Sequence, residues 1–199
     1  KIIIRGSSGL LRILAIYDES KIYTSHKCTL IIKKSDLPKN HSQYEKTAEI
    51  DLKYLLAILN SRLIDFYYES VYGGFIDVYP NNLKELPIKI ADISTRNVFI
   101  SIVDYLLELK RSNDYFPQVQ FFDRLIDILV YELYFPNEIR QAECEVIKHL
   151  TDLSLLNDKV DNLKIIERIY KKLSSPSHPI SAVMLKILNV AEVKIIEGN

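Results

Sequence analysis

The 199-residue chain is 48% hydrophobic and 26% charged, the profile of a soluble globular protein with one large domain or two small ones. No apolar run approaches the roughly 20 residues that a membrane helix needs, and the opening "KIIIR" is too short for a signal peptide, so we expect a cytoplasmic protein. Cys28 and Cys144 have neither zinc-ligand nor disulfide-framework spacing. The chain starts without Met and already with strand character, which predicts a fragment of a longer protein.

The net charge of zero conceals an uneven distribution along the chain. Residues 1–90 carry 13 basic and 10 acidic side chains, a balance of +3, and residues 91–199 carry 13 and 16, a balance of −3. The first 34 residues hold seven basic and two acidic side chains, a balance of +5. This segment favours a polyanion partner only weakly, because unevenness of this size is common on protein surfaces.

Strand patterns fill the N-terminal segment. The stretches "KIIIR", "LRILAIYD" and "KIYTSHKCTLIIKK" are dense in β-branched residues and are separated by "GSSG" and "DESK", which are typical of turns. They predict a meander or a set of hairpins. Residues 35–50 are polar and without a sustained period, which predicts a loop.

One amphipathic helix is predicted at residues 51–72, because apolar residues recur there at spacings of three and four and Asp51 suits a helix N-terminus. Gly73-Gly74, whose glycines can adopt positive φ, is expected to end it. In the loop at residues 72–84, "FIDVY" predicts a brief strand and Asn81-Asn82 predicts a turn. "LPIKI" predicts a short extended strand after the loop.

Residues 93–199 are predicted to be mostly helical. Helices are expected at residues 95–112 and 118–135, in "NEIRQAECEVIKHLTDL" with Asn137 as N-cap, in "NLKIIERIYKKL" and in "ISAVMLKILN", and "EVKIIEG" predicts a final strand. The predicted fold class is therefore α+β. A β-rich domain that includes the helix at residues 51–72 and the loop at residues 72–84 occupies residues 1–92, and a helical part follows.

The sequence carries no motif for catalysis or for metal binding. "GSSG" and "YGG" match neither glycine-rich phosphate pattern, and the four histidines lack a nucleophile or base signature. "EIDLK" and the Asp123–Asp127 pair are better explained as charge at a helix N-terminus and as a solvated helix face. We therefore expect no catalytic residue and no metal ligand.

The 72–84 loop is the segment whose composition most favours a binding role. Asn and Lys hydrogen-bond base edges and phosphates, and Tyr stacks or fills a groove. The alternative is a structural connector between a helix and a strand, with its aromatic residues in the core. Residue chemistry alone leaves both interpretations open.

Several strings carry a resemblance to a known family. "DLKYLLAILNSRLIDFYY", the glycine-containing loop after it and "NLKELPIKI" resemble the target-recognition region of the TaqI-like DNA methyltransferases and of the fused Eco57I-type (type IIG) restriction-modification enzymes. "KIIIR" and "YDESKIYTSHKCTLII" are similar to the entry of that region. "LIDILVYELY" and "SSPSHPISAVMLKILNVAEVKIIEG" look like the helix that ends many of these chains and the tail of the larger fused enzymes.

The resemblance implies a DNA-recognition module of an adenine-N6 DNA methyltransferase, often joined to an endonuclease in one polypeptide. Its partners would be double-stranded DNA and the missing methyltransferase domain of the same polypeptide, with no membrane. S-adenosylmethionine is expected in that missing domain, and no cofactor is expected here. The module would read the site and hold the duplex while the absent domain flips the target base out of the stack.

Candidate DNA contacts come from residue chemistry and position, because the family's variable region transfers no base contact by motif. They are Arg5, Ser7, Ser8 and Arg12 near the first turn, His26 and Lys27 in the hairpin, and Tyr72, Asp77, Tyr79, Asn81, Asn82 and Lys84 in the loop. The zero net charge predicts weak DNA binding without the partner domain. The alternative is a protein-interaction module whose acidic helices dock other domains or subunits, and a free-standing enzyme is disfavoured by the missing chemistry.

Overall fold

The structure is a computed structural model, and it describes residues 1–6, 13–20, 22–45, 50–73, 77–112, 116–156 and 161–198. The chain divides into two compact units, residues 1–90 and residues 91–199. The first contains a small antiparallel sheet with helices, and the described part of the second is helical. The α+β class predicted from the sequence is confirmed. Within the described part of the chain, no helix is both long enough and apolar enough to cross a bilayer.

The sheet of the first unit has its first strand in the centre. The strands are β1 (Ile2–Arg5), β2 (Ala15–Tyr17) and β3 (Cys28–Ile31), in the order β2-β1-β3. Both pairs are antiparallel, and Ile3 lies opposite Ile16 on one side and Leu30 on the other. All three isoleucines of β1 are buried, which explains why this strand takes the central position.

This order corrects the predicted meander, which would have placed β2 between its neighbours. The chain instead passes from β2 across to the far edge of β1. The third strand is also shorter than predicted, because residues 22–27 form no strand. In the 35–50 segment, the described residues are irregular apart from the end of a short 3-10 turn, Lys34–Asp36, as the predicted loop requires.

The helix predicted at residues 51–72 is in fact two helices. They are α1 (Leu52–Leu59) and α2 (Arg62–Tyr72). Asp51 is the N-cap of α1, as predicted, and its carboxylate accepts a hydrogen bond from the Lys53 N–H at 2.7 Å. Ser61 breaks the run, since its backbone is extended and its hydroxyl accepts the Ile64 N–H and so caps α2.

Asn60 shows why the chain breaks between these helices. Its side-chain amide accepts the Ala15 N–H at 3.0 Å and donates to the Ala15 carbonyl at 2.9 Å, as a neighbouring strand would. One turn later, the Asp65 carboxylate accepts the Ile13 N–H at 2.9 Å. Asn60, which belongs to the family-like "LNS" string, and Asp65 therefore hydrogen-bond the helices to the outer edge of the β2 segment. Without these bonds, that edge would expose unpaired backbone groups.

Gly73 follows α2, as predicted, but not through positive φ. Its φ is −52° and its ψ is 145°. A Cβ at this position would clash with the Glu69 carbonyl oxygen, so the helix end needs the missing side chain rather than a left-handed backbone. Gly74 and the start of the predicted "FIDVY" strand lie outside the described residues.

The end of the 72–84 loop is helical, which corrects two further expectations. Residues Pro80–Lys84 form α3, with Pro80 at its first position, so Asn81 and Asn82 lie in a helix rather than in a turn. "LPIKI" pairs with no strand in the described part of the chain. It is held instead by Tyr54 of α1, whose buried hydroxyl donates to the Lys89 carbonyl at 2.6 Å.

The second unit is built from helices whose bounds mostly follow the predicted ones. They are α4 (Ile93–Ser112), α5 (Phe116–Tyr134), α6 (Pro136–Gln141), α7 (Asn162–Leu173), α8 (Pro179–Lys186) and α9 (Ala191–Glu197). Tyr105 of α4 and Phe122 of α5 are fully buried, with ring centroids 5.5 Å apart. The last element corrects the predicted strand: Val193 and Ile196, three residues apart, are the buried residues of a helix.

The helix predicted from Asn137 onward is much shorter than expected. Phe135 precedes α6 as its N-cap residue and Pro136 opens it, so the Asn137 cap is wrong. The helix stops because Glu132 of α5 holds the next segment. Its carboxylate accepts the N–H groups of Val146 and Ile147 at 2.7 and 3.0 Å, and that segment forms a 3-10 turn instead.

Candidate nucleic-acid interface

Gly6 is the point where three separate segments of the first unit meet. Its N–H donates to the Lys27 carbonyl at 2.8 Å, and its own carbonyl accepts the Val78 N–H at 2.7 Å. A Cβ on Gly6 would lie 2.6 Å from the Lys27 carbonyl oxygen, so only glycine fits without a shift of the backbone. The end of β1, the turn before β3 and the 72–84 loop are thus joined through main-chain hydrogen bonds.

This junction brings together the three groups of predicted contacts. Arg5 ends β1 opposite Cys28 and is exposed, and His26 and Lys27 are exposed in the adjoining turn. Asp77 and Tyr79 flank Val78 on the third segment. Ser7, Ser8 and Arg12 lie outside the described residues.

The 72–84 loop is fastened to α2 by a buried tyrosine that the sequence analysis did not single out. The Tyr68 hydroxyl donates to the Asp77 carbonyl at 3.3 Å and accepts from the Asn82 side-chain amide, also at 3.3 Å. The Tyr68 side chain is 2% exposed, so the rigid helix underneath sets the position of its hydroxyl. The sequence did offer a signal for this role, namely a tyrosine on the apolar face of α2. The hydroxyl of a buried Tyr usually has a hydrogen-bond partner.

The remaining loop residues divide into supporting and exposed side chains. Tyr72 is half-buried against Tyr68, with ring centroids 5.1 Å apart, and burial raises the pKa of its hydroxyl. Asn82 is also half-buried, and its side-chain amide donates a hydrogen bond to the Tyr68 hydroxyl. Asn81 and Lys84 are exposed on α3, and Tyr79 is 47% exposed. The structure thus leaves Asn81 and Lys84 free to meet a ligand and gives Asn82 a structural bond.

Ion pairs remove part of the positive charge expected in the first 34 residues. Lys1 pairs with Asp18 at 3.0 Å, and the neighbouring Lys33 and Lys34 each lie within reach of a carboxylate. Within the described ranges, the side chains of Arg5 and Lys27 make no ion pair. Among the described cations of this segment, the two without an ion pair, Arg5 and Lys27, therefore adjoin the junction around Gly6.

No group of three His, Cys, Asp or Glu side chains is placed to hold a metal ion in the parts of the chain that the structure describes. Cys28 is a half-buried free thiol on β3. Hydrogen bonds from Ser20, followed by one from Lys1, lower the pKa of the Asp18 carboxyl to about 2. That carboxylate fixes the turn after β2, which is a structural role.

Residues 1–88 match the family model of the TaqI-like C-terminal specificity domain. This match covers nearly all of the first unit and confirms the predicted resemblance for the strings that lie within residues 1–88. The first unit is therefore similar to a TaqI-like specificity domain, over less than half of the chain. Residues 89–199 lie outside the match. The search of curated proteins and the search of solved structures gave no significant match.

Proposed function

We propose that residues 1–90 read the target sequence for a catalytic domain of the same polypeptide, an adenine-N6 DNA methyltransferase that is either TaqI-like or, where an endonuclease is joined to it, a type IIG restriction-modification enzyme. The chain described here would then be non-catalytic and cytoplasmic. S-adenosylmethionine would bind to the methyltransferase domain. The specificity domain would hold the duplex while that domain takes the target base out of the stack.

The observation that carries this proposal is the convergence at Gly6. Arg5 and Lys27, two cations without an ion pair in the described part of the chain, adjoin a loop that presents Asn81 and Lys84 from a short helix. Cations supply the phosphate contacts that orient a protein on the duplex, and amide groups discriminate bases through paired hydrogen bonds. Both kinds of group thus lie on one small framework held by main-chain bonds and by Tyr68.

The test is site selection from a random duplex pool by the full-length enzyme, with and without the paired change Asn81→Ala and Lys84→Ala. We expect the variant to lose base preference at one or more positions, at a cost of about 1–3 kcal/mol for each lost bidentate contact. The matched control is Lys39→Ala with Asn40→Ala, since these are the same residue types, also exposed, elsewhere in the first unit. A variant that selects the same site with the same stringency as the unchanged enzyme would refute the proposal.

The second candidate function is docking of other domains or subunits by the helical unit. It is favoured by large apolar side chains that remain exposed there, among them Leu185 at 75% and Ile195 at 65%. A docking module predicts that DNA affinity is unchanged when Arg5 and Lys27 lose their charges. The DNA-reading function predicts that the affinity falls.

A further inference from the structure

The helical unit carries a group of basic side chains, two cations and two imidazoles, that the proposed DNA-reading function of the first unit does not use. Three elements contribute to it: the second half of α7, the N-terminal end of α8 and the 3-10 turn Ile147–His149. We call this group the α7–α8 cation cluster, and its members are His149, Arg168, Lys172 and His178.

Contacts between these elements place the members of the cluster together. The rings of His149 and His178 are in edge-to-face contact, with centroids 6.5 Å apart. Arg168 and Lys172 are one helical turn apart on α7 and are both exposed. Burial lowers the pKa of the His178 imidazole, and the neighbouring His149 and Lys172 side chains lower it further.

The cations of the cluster differ from the other lysines of the same helix in having no acidic partner. Lys164 pairs with Asp161 at 3.1 Å, and Lys171 pairs with Glu167 at 3.2 Å. Arg168 and Lys172 make no ion pair with any residue that the structure describes. Two positive groups one helical turn apart repel each other, and this repulsion is relieved when an anion binds.

Hydrogen-bond donors accompany the charge. The turn at residues 175–178 is closed by the bond from the His178 N–H to the Ser175 carbonyl at 2.9 Å, and it brings the Ser175 and Ser177 hydroxyls within 2.9 Å of each other. The His178 Nδ1 atom accepts the Ile180 N–H at 3.3 Å, so the neutral ring carries its proton on Nε2. Ammonium, guanidinium, imidazole N–H and hydroxyl groups are together the donor set that binds phosphate oxygens.

We propose that the α7–α8 cation cluster binds the phosphate backbone of duplex DNA as a second contact, independent of base sequence. The inference rests on the proposed function in one respect, namely that DNA is the polyanion this polypeptide handles. An extended polyanion fits this surface because Arg168, Lys172 and Ser177 are all exposed rather than enclosed in a cavity. The helical unit, whose overall charge is negative, thereby offers DNA one positive region.

The test is the salt dependence of DNA binding by the whole chain, measured by fluorescence anisotropy with a random-sequence duplex between about 50 and 200 mM salt. Each phosphate contact adds about 0.9 to the slope of log affinity against log salt. We expect Arg168→Gln with Lys172→Gln to reduce that slope by about 1–2. Lys164→Gln with Lys171→Gln is the matched control, because it removes the same net charge from the same helix at ion-paired positions, and we expect its slope to be unchanged.

A third variant separates this inference from the proposed function. If Arg5→Gln with Lys27→Gln reduces the slope and the cluster variant does not, the second contact is wrong and the DNA-reading function stands. If the cluster variant reduces the slope and Arg5→Gln with Lys27→Gln does not, the result supports phosphate binding by the cluster. It also counts against DNA contact at the junction around Gly6. Equal losses in the cluster variant and its control would show a general charge effect and overturn the inference, as would the absence of DNA binding by the unchanged chain at about 50 mM salt. Circular dichroism checks that each variant folds.

Discussion

Removing one hydroxyl group, in Tyr68→Phe, tests whether the 72–84 loop must be held rigidly to read DNA. The ring would remain in its buried site, and only the bonds to the Asp77 carbonyl and the Asn82 amide would be lost. A hydrogen bond contributes about 0.5–1.5 kcal/mol net to stability. Because both bonds are long, at 3.3 Å, we expect the free energy of unfolding to fall by about 1–2 kcal/mol.

The functional effect of Tyr68→Phe should exceed its effect on the fold. Without the Tyr68 hydroxyl, the 72–84 loop would no longer be fixed to α2, and Asn81 would occupy several positions. The preference for the correct base pair should therefore fall by about tenfold, or about 1.4 kcal/mol. The assay compares the affinity of the full-length enzyme for its selected duplex with that for duplexes changed at one base pair. Denaturant unfolding of the same variant gives the stability change separately.

Tyr67→Phe supplies the control for this experiment. Tyr67 is the preceding residue of α2, and its hydroxyl makes no hydrogen bond among the described residues. We expect this variant to keep both stability and base preference. If Tyr68→Phe lowers the free energy of unfolding as expected but keeps the original base preference, the hydroxyl stabilises the fold without positioning the loop, and our reasoning is wrong.

Three further changes test other parts of the structure. Gly6→Ala should lower both stability and DNA affinity, because the added Cβ would lie 2.6 Å from the Lys27 carbonyl oxygen. Thermal unfolding and fluorescence anisotropy measure the two effects, and unchanged values would contradict the role of Gly6 in joining the three segments. Asn60→Ala should cost about 1–2 kcal/mol in denaturant unfolding, because both backbone groups of Ala15 lose their partner, and equal stability of wild type and variant would show that water replaces the amide. The lowered pKa of His178 means that the folded state favours the neutral ring, so its contribution is present above the ordinary pKa of about 6.5 and is lost as the pH falls below it. His178→Asn keeps a capping side chain and should flatten this part of the pH–stability curve, whereas an unchanged curve would refute the assignment.

Elements with an uninterrupted local pattern were predictable from the sequence. The helix α7 was predicted with its observed bounds, because Asp161 caps it and Ile166, Ile169 and Leu173 recur along one face. The long helices α4 and α5 were predicted within two residues at each end for the same reason. In these segments the local preference and the tertiary packing agree.

The errors lie where a distant contact decides the local structure. The break at Asn60 fits a helical period as well as its neighbours do, and only the pairing with Ala15, 45 residues away in sequence, explains it. The predicted helix after Pro136 is cut short because Glu132 takes two backbone N–H groups of the following segment. No window along the sequence contains either contact, so periodicity alone could not reveal them.

The candidate interface also contains one part that follows from the sequence and another part that does not. Its framework follows from physical chemistry that can be checked residue by residue: Gly6 is required by a close backbone approach, and Tyr68 is buried and must satisfy its hydroxyl. The proposed base contacts have no comparable requirement, because exposed residues such as Asn81 and Lys84 have no partner among the described residues to define their orientation. A specificity domain that changes its target should therefore keep its glycine and its buried tyrosine and vary the exposed face of α3. Composition predicted ligand contacts in the 72–84 loop but not the role of Tyr68, since a buried residue that supports a binding surface carries no signature of the ligand.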